Sequence, residues 1–397
     1  MHHLSNLSLL QSRPDRIALA RERFFEGGQA PTGVVSEAVF ESWARCLRLH
    51  GNPNERATFQ PVTASRTQLA LMKNRHLRQA WLDEVPRLEA MLSTSNCTAM
   101  LTDATGVLIG ATCVGRSHEE LMPVATRLGV NLSEDAVGTT APGVVARTGK
   151  AVCVQGGEHF FDSVKEMHCA AAPIRDIRGQ LAGVLDLSSE RIPFAFDAAA
   201  VAGLYAGSIE NRLLVAQSTE HLVVRFQVAH DLLDSAMAAL IGIGVDGRIA
   251  WENGVARSLL GGRSPALAQI ERTAEPSFGL PWEQLVALPA AGAAPLALPN
   301  GLQVWARAEM RAPDGRRGLV AGASLAAAVP EPAAPAAAPD PVAEVLPPVA
   351  DARAAKRLRE SDLDLIRTTL QACSGNVSDA AKRLGVSRGL IYRRLKG

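Results

Sequence analysis

The sequence predicts an α+β protein that ends in a small all-α unit on a tether. Three observations carry that prediction. Short apolar runs bounded by Asp-x-x-Gly turns recur from residue 98 onward, as in antiparallel hairpins. Before them, apolar residues fall at helical spacing. Residues 321–350 contain twelve Ala and seven Pro, which neither pack as a core nor continue a helix. With 397 residues, 47% of them hydrophobic, the chain can bury the cores of roughly two to four domains. The expected organisation is a helical region (1–95), an α+β domain (96–234), a smaller degenerate α+β domain (235–325), a Pro/Ala linker (326–352) and a C-terminal all-α unit (353–397).

In the first region Ser36 can cap a helix carrying Val39, Phe40, Trp43 and Leu47, which Gly51 and Pro53 stop. A second helical stretch, about 67–93, places Leu69, Met72, Leu77 and Trp81 on its apolar side. Residues 98–102 and 107–112 flank the turn at Asp103–Gly106, 151–155 form another strand, and 169–175 and 180–188 flank Asp176–Gly179. Residues 196–233 read as one or two closing helices. In the smaller domain 239–245 and 248–251 flank Asp246-Gly247, a short helix spans 254–260, and 302–311 pairs with 318–324 around Pro313-Asp314-Gly315.

Net charge is +1, but it is unevenly spread. Residues 353–397 hold eleven Lys/Arg against four Asp/Glu, while the rest holds thirty against thirty-six. A basic unit on an acidic body is a nucleic-acid footprint. The N-terminus lacks the pattern of a signal peptide, and no apolar stretch is long enough to span a bilayer, so the expected location is the cytoplasm, at the nucleoid when DNA is bound. Cys46, Cys97, Cys113, Cys153, Cys169 and Cys373 form no CxxC pair and read as free thiols in a reducing compartment.

The basic unit reads as three helices. The first, 361–373, places Leu363, Ile366, Leu370 and Cys373 on one face. Asn376 caps the second, whose Val377, Ala380, Ala381 and Leu384 form one stripe, and Gly385 ends it. Ser387 caps the third, 388–396, which Ile391 and Leu395 anchor. In a major groove Arg388 would reach a guanine edge and Leu390 a thymine methyl, with Ser387 and Gly389 at the helix start. Tyr392, Arg393, Arg394 and Lys396 would contact phosphates. A basic hairpin serving only solubility or dimerisation explains less, because cap, small-residue pair, glycine turn and basic third helix occur in the order that DNA docking needs. The segment GNVSDAAKRLGVSRGLIYRRLK resembles the Fis-type helix-turn-helix that ends many bacterial enhancer-binding activators, although that family often has a small polar residue where Leu390 stands. The resemblance implies a homodimer on double-stranded DNA with a palindromic operator.

Upstream, NLSEDAVGTTAPGVVARTGKAVCVQGGEHF (131–160), CAAAPIRDIRGQLAGVLDLSS (169–189) and SWARCLRLHG (42–51) resemble the GAF sensor domain of the acetoin-catabolism regulator (AcoR-like) family, over about 36–235. The resemblance implies a small-molecule effector such as acetoin, an alcohol or an aromatic. The smaller domain is read as PAS-like. Candidate effector-binding residues are Thr139, Thr140, His159, Phe160 and Cys169, polar or aromatic groups beside the small Ala170–Ala172 lining. His159, His168 and Cys169 could also be metal or haem ligands, but no third ligand stands at metal-site spacing, so structural roles are expected. A redox role for Cys97 or Cys169 has no sign of a depressed thiol pKa behind it. The stripes around Trp43 and Trp81 read as core or dimer interface.

AcoR-like activators carry a sigma-54-interacting ATPase domain between sensor and DNA-binding unit; here the tether fills that place. The nearest approach to a phosphate loop, Gly143 to Ala151, has one residue too many between its glycines and Ala151 where a hydroxyl is needed. The GAFTGA segment is absent, as are the HExxH and GxSxG motifs. The expectation is therefore a non-enzymatic, effector-responsive regulator that acts without ATP hydrolysis, with no catalytic residue, metal or cofactor and with RNA polymerase as a possible partner. Two alternatives stand beside it: an adaptor or dominant-negative partner of a full-length activator, and a nucleoid-type DNA-bending protein, which would have no need of a sensor.

Overall fold

A computed structural model describes residues 12–312, apart from 32, 114, 117 and 262–272. The chain divides between Ala326 and Ala327, and every described residue belongs to the first unit. The linker, the expected strand at 318–324 and the DNA-facing residues from Ser387 to Lys396 lie outside the described residues.

Helix α1 (Arg13–Gly27) opens with a capping box between Ser12 and Asp15 and ends at left-handed Gly28. Helix α2 (Glu37–His50) starts at Ser36, whose hydroxyl accepts from the Val39 amide, and stops at Gly51. The expected second helix is three: α3 (Ala64–Lys73), α4 (Arg75–Leu82) and α5 (Val85–Leu92). Asn74 makes the first break, its side chain donating back to the Ala70 carbonyl. The break resets the helical phase. Ala70, Leu77, Ala80 and Trp81 are buried, whereas Leu69 and Met72, expected on the apolar side, are 60% and 63% exposed.

Five antiparallel strands follow: β1 (Thr98–Asp103), β2 (Leu108–Ala111), β3 (Val152–Gln155), β4 (Met167–Arg175) and β5 (Leu181–Glu190), in the order β2-β1-β5-β4-β3. The Asp103 carboxylate accepts from the Thr105 and Val107 amides, and Gly106 takes φ 87°, which closes the first hairpin. Between β2 and β3 run the short helices α6 (Met122–Ala125), α7 (Glu134–Val137) and α8 (Ala141–Thr148). Both faces are covered. Phe24, Trp43, Cys46, Val144 and Val145 pack on one; Leu77, Trp81, Leu88 and residues of α9 (Ala198–Gln217) pack on the other. That double cover explains why the last eight residues of β5 are all buried.

Helix α9 stops at Gln217, and the second part of the expected helical closure is a strand, β6 (Leu222–Gln227). Its Leu-Val-Val-Arg-Phe-Gln sequence favours strand through two β-branched residues and an aromatic. It lies at the centre of a second antiparallel sheet, with β7 (Ala239–Ile243), β8 (Ile249–Glu252), β9 (Ala294–Ala297) and β10 (Gln303–Met310), in the order β8-β7-β6-β10-β9. Helices α10 (Gly254–Leu259), α11 (Ala274–Phe278) and α12 (Trp282–Val286) complete a core around Phe226, Ile241, Phe278, Leu285 and Val304. On the opposite side of this sheet, Leu214 of α9 meets Val223, Leu240 and Trp251. Buried Asn253 donates to Asn211 of α9 at 2.7 Å, and Asn211 donates to the Ala236 carbonyl at 3.2 Å. No helix among the described residues is long and apolar enough to cross a membrane.

Candidate effector site

The site is built on the face of β4 and β5 that lies under α8. Strand alternation places Val184, Asp186 and Ser188 of β5 on that face, with Asp186 paired to Met100 of β1 and Ala171 of β4. Ser188 pairs with Cys169, and its hydroxyl donates to the Asp186 carboxyl at 2.6 Å and lies 3.1 Å from the Cys169 sulfur. The other Asp186 oxygen, Oδ1, is buried and meets no partner among the described residues. Burial pushes the Asp186 pKa up to about 7, with the Ser188 hydroxyl pulling weakly the other way. Burial, and then the neighbouring Asp186, push the Cys169 thiol well above its ordinary value, so it is a poor nucleophile and a poor redox sensor.

The Gly138–Thr140 turn descends onto this face. Gly138, at φ 70°, lies so close to Phe160 and Phe161 that a Cβ would meet them at 3.0–3.1 Å. Thr139 is fully buried and shares a 2.8 Å hydrogen bond with Ser42 of α2. Thr140 caps α8: its hydroxyl donates to the Leu132 carbonyl and accepts from the Gly143 amide. Helix α8 therefore occupies the stretch that mimics a phosphate loop, with Gly143 inside the helix and Gly149 as its left-handed C-cap. Gly143 is needed because a Cβ there would stand 2.9 Å from the Leu132 carbonyl oxygen.

The loop 156–161 closes the far end, held by α1 and α2. Buried Arg21 donates to the carbonyls of His159 and Phe160, Trp43 donates to the Glu158 carbonyl at 2.7 Å, and Arg45 grips Glu134 with two hydrogen bonds. Phe160 sits in a ring cluster with Phe25, His50 and Phe161. His159 bonds the Gly156 carbonyl through Nδ1 at 3.0 Å, while its buried Nε2 has no partner among the described residues. Burial pushes its pKa down to about 4, so the ring is neutral near pH 7.

Thr139, Phe160 and Cys169 thus share one core, with His159 in the loop beside Phe160, and Thr140 serves as the cap that shapes it. His168 and Cys169 are consecutive on β4 and point to opposite faces, so they cannot share a metal ion. Asp186, Ser188, Ser42 and Arg21 were not among the sequence candidates. A signal for Asp186 existed: in Val184-Leu-Asp-Leu-Ser188 an acid and a hydroxyl alternate with leucines, which places them on the same side of a buried strand.

Comparison with known proteins agrees with both ends of the chain. Residues 13–208 match the MimR N-terminal domain, and residues 354–396 match the Fis family of bacterial regulatory proteins. The chain is 27% identical over 242 residues to the acetoin catabolism regulatory protein of Cupriavidus necator, covering 58% of this chain and 35% of that one. It is 28% identical over 199 residues to the propane 2-monooxygenase operon transcriptional activator MimR of Mycolicibacterium smegmatis, covering 49% and 32%. Against the acetoin dehydrogenase operon transcriptional activator AcoR of Bacillus subtilis it is 30% identical over 171 residues, covering 42% and 28%. These matches span about a third of each relative's own length. The chain thus joins a match to the MimR N-terminal domain with a match to a Fis-family terminal unit, and its homologues are AcoR- and MimR-type regulators.

Proposed function

We propose that the protein is a cytoplasmic, effector-responsive regulator that binds DNA through its Fis-family unit and controls genes for the catabolism of a small oxygenated metabolite. The match at 354–396 carries this reading, and on it we assign Arg388 to base edges and Arg393, Arg394 and Lys396 to phosphates. The first sheet acts as a GAF-like sensor and the second as a PAS-like domain. The protein acts as a homodimer whose two terminal units occupy the half-sites of a palindrome. Regulation proceeds without ATP hydrolysis, through DNA occupancy or contact with RNA polymerase.

The effector sits against Asp186, between Thr139, His159, Phe160 and Cys169. Near pH 7 Asp186 exchanges between carboxyl and carboxylate, and neutral His159 offers an unpaired ring nitrogen, so together they suit a neutral ligand carrying hydroxyl or carbonyl groups. An effector acts only by binding one of two states more tightly. Footprinting on upstream DNA tests the first part, and absence of a protected palindrome at physiological salt removes it. A thermal-shift series with acetoin, small diols and aromatic acids tests the second, since a ligand of the native state raises its stability. A second reading, an adaptor pairing with a longer homologue, draws on the short span of the matches; co-purification with such a homologue would favour it.

A further inference from the structure

A cavity of about 680 Å³ lies between α9 and the second sheet, on the side of the first sheet opposite Asp186. Arg212 of α9, Arg225 of β6, Arg307 of β10 and Arg311 line it. Three of these have carboxylate partners. Arg212 lies 2.5 Å from Glu84, Arg307 pairs with Asp234, and Arg311 lies 3.0 Å from Glu309. Arg225 differs: it donates one hydrogen bond, to the Leu233 carbonyl, and makes no ion pair among the described residues.

The register makes Arg225 more unusual. It stands directly across from Arg307 in the β6/β10 ladder, and like charges in that position repel. Burial, and then the charge of Arg307, lower its pKa against the opposing pull of Asp234 and Glu309. Arg225 and Arg307 line the same cavity, and the N–H fork of a guanidinium matches the geometry of a carboxylate or a phosphate. Val215, Ala216 and Val223 supply an apolar wall beside them.

We propose that this cavity is a second ligand site, which binds a small metabolite bearing a carboxylate or phosphate group between Arg225 and Arg307. The ligand's charge satisfies Arg225, and its body lies along Val215 and Val223. Because α9 is also the wall of the first sheet, the occupant ties the two sheets together and gives the protein an anionic input distinct from the neutral one.

The test is calorimetry on the intact protein, titrated separately with malonate and with inorganic phosphate in a chloride buffer of fixed ionic strength. Saturable binding of either anion supports the site, and the arm that binds identifies the headgroup. Arg225→Met should weaken binding about tenfold or more, the loss of a charge-assisted hydrogen-bond pair, and Arg225→Lys should restore part of it. Ala291→Trp obstructs the cavity from an exposed loop position without altering its charge, and should also weaken binding. Absence of saturable binding for both anions overturns the proposal. So does binding that Arg225→Met and Ala291→Trp leave unchanged; if Arg225→Met fails to fold, Ala291→Trp decides.

Discussion

Asp186 and His159 impose opposing pH dependences on one core, and separating them tests the electrostatics of the effector face. Asp186 moves from its ordinary 3.8 to about 7 on folding. Between those values the folded state holds a proton that the unfolded chain has released, so stability is fully present below pH 3.8 and is lost as pH rises to 7. At about 1.4 kcal/mol per pH unit the loss amounts to about 4 kcal/mol. His159 moves from 6.5 down to about 4 and is neutral in the fold. Its contribution is present above pH 6.5 and is lost as pH falls toward 4, about 3 kcal/mol in all. In the wild type the two nearly cancel between pH 4 and 6.5. Asp186→Asn should remove the falling limb and leave stability that rises with pH; His159→Asn, which keeps a donor to the Gly156 carbonyl, should leave stability that falls. Thermal unfolding followed by circular dichroism from pH 4 to 8 reads both. At about 2 °C per kcal/mol, the Asp186→Asn midpoint should gain roughly 8 °C on the wild type between pH 4 and 7.5. Titrations common to both proteins drop out of that difference. Parallel curves for wild type and Asp186→Asn would refute the reasoning, since Asp186 would then ionise at its ordinary value.

Gly183→Ala should destabilise by about 2–3 kcal/mol with an unchanged denaturant slope, because its Cβ would stand 2.4 Å from the Thr102 carbonyl oxygen and 2.7 Å from Leu77, and the backbone cannot yield. Ser36→Ala should cost about 1 kcal/mol in urea unfolding through loss of the α2 cap. In anisotropy titrations Arg388→Ala should weaken specific duplexes by about 1–3 kcal/mol, whereas Arg394→Ala should weaken specific and random DNA evenly and reduce the salt slope by about 1. Equal losses for both variants on both duplexes would contradict those roles.

Local chemistry made much of the first sheet legible. Ser36 and Gly51 bound α2, and the turns at Asp103–Gly106 and Asp176–Gly179 located two hairpins, because caps and Asx turns are decided within a few residues. What depends on distant partners was not legible. Residues 222–227 favour strand by composition, but the run is short and its periodicity does not separate it from the preceding helix; β7 and β10, which flank it, settle it as β6. Leu69 and Met72 were misjudged because a single stripe was carried across Asn74. Thr139, Phe160 and Cys169 were singled out as polar or aromatic groups beside Ala170–Ala172, and the structure buries all three. The state of Asp186 needed its burial, and the confrontation of Arg225 with Arg307 needed the strand register.

Helix α9 bears on how such regulators can be assembled from parts. The MimR-type match ends at residue 208, midway along the helix, whose remaining turns carry Asn211 and Leu214 to the second sheet. A chimera joined at that sequence boundary would sever a continuous rod and strip an apolar flank from each half. Grafts that exchange sensors should therefore cut after Gln217, carrying the entire rod with the donor and re-creating the Asn211–Asn253 handshake in the recipient.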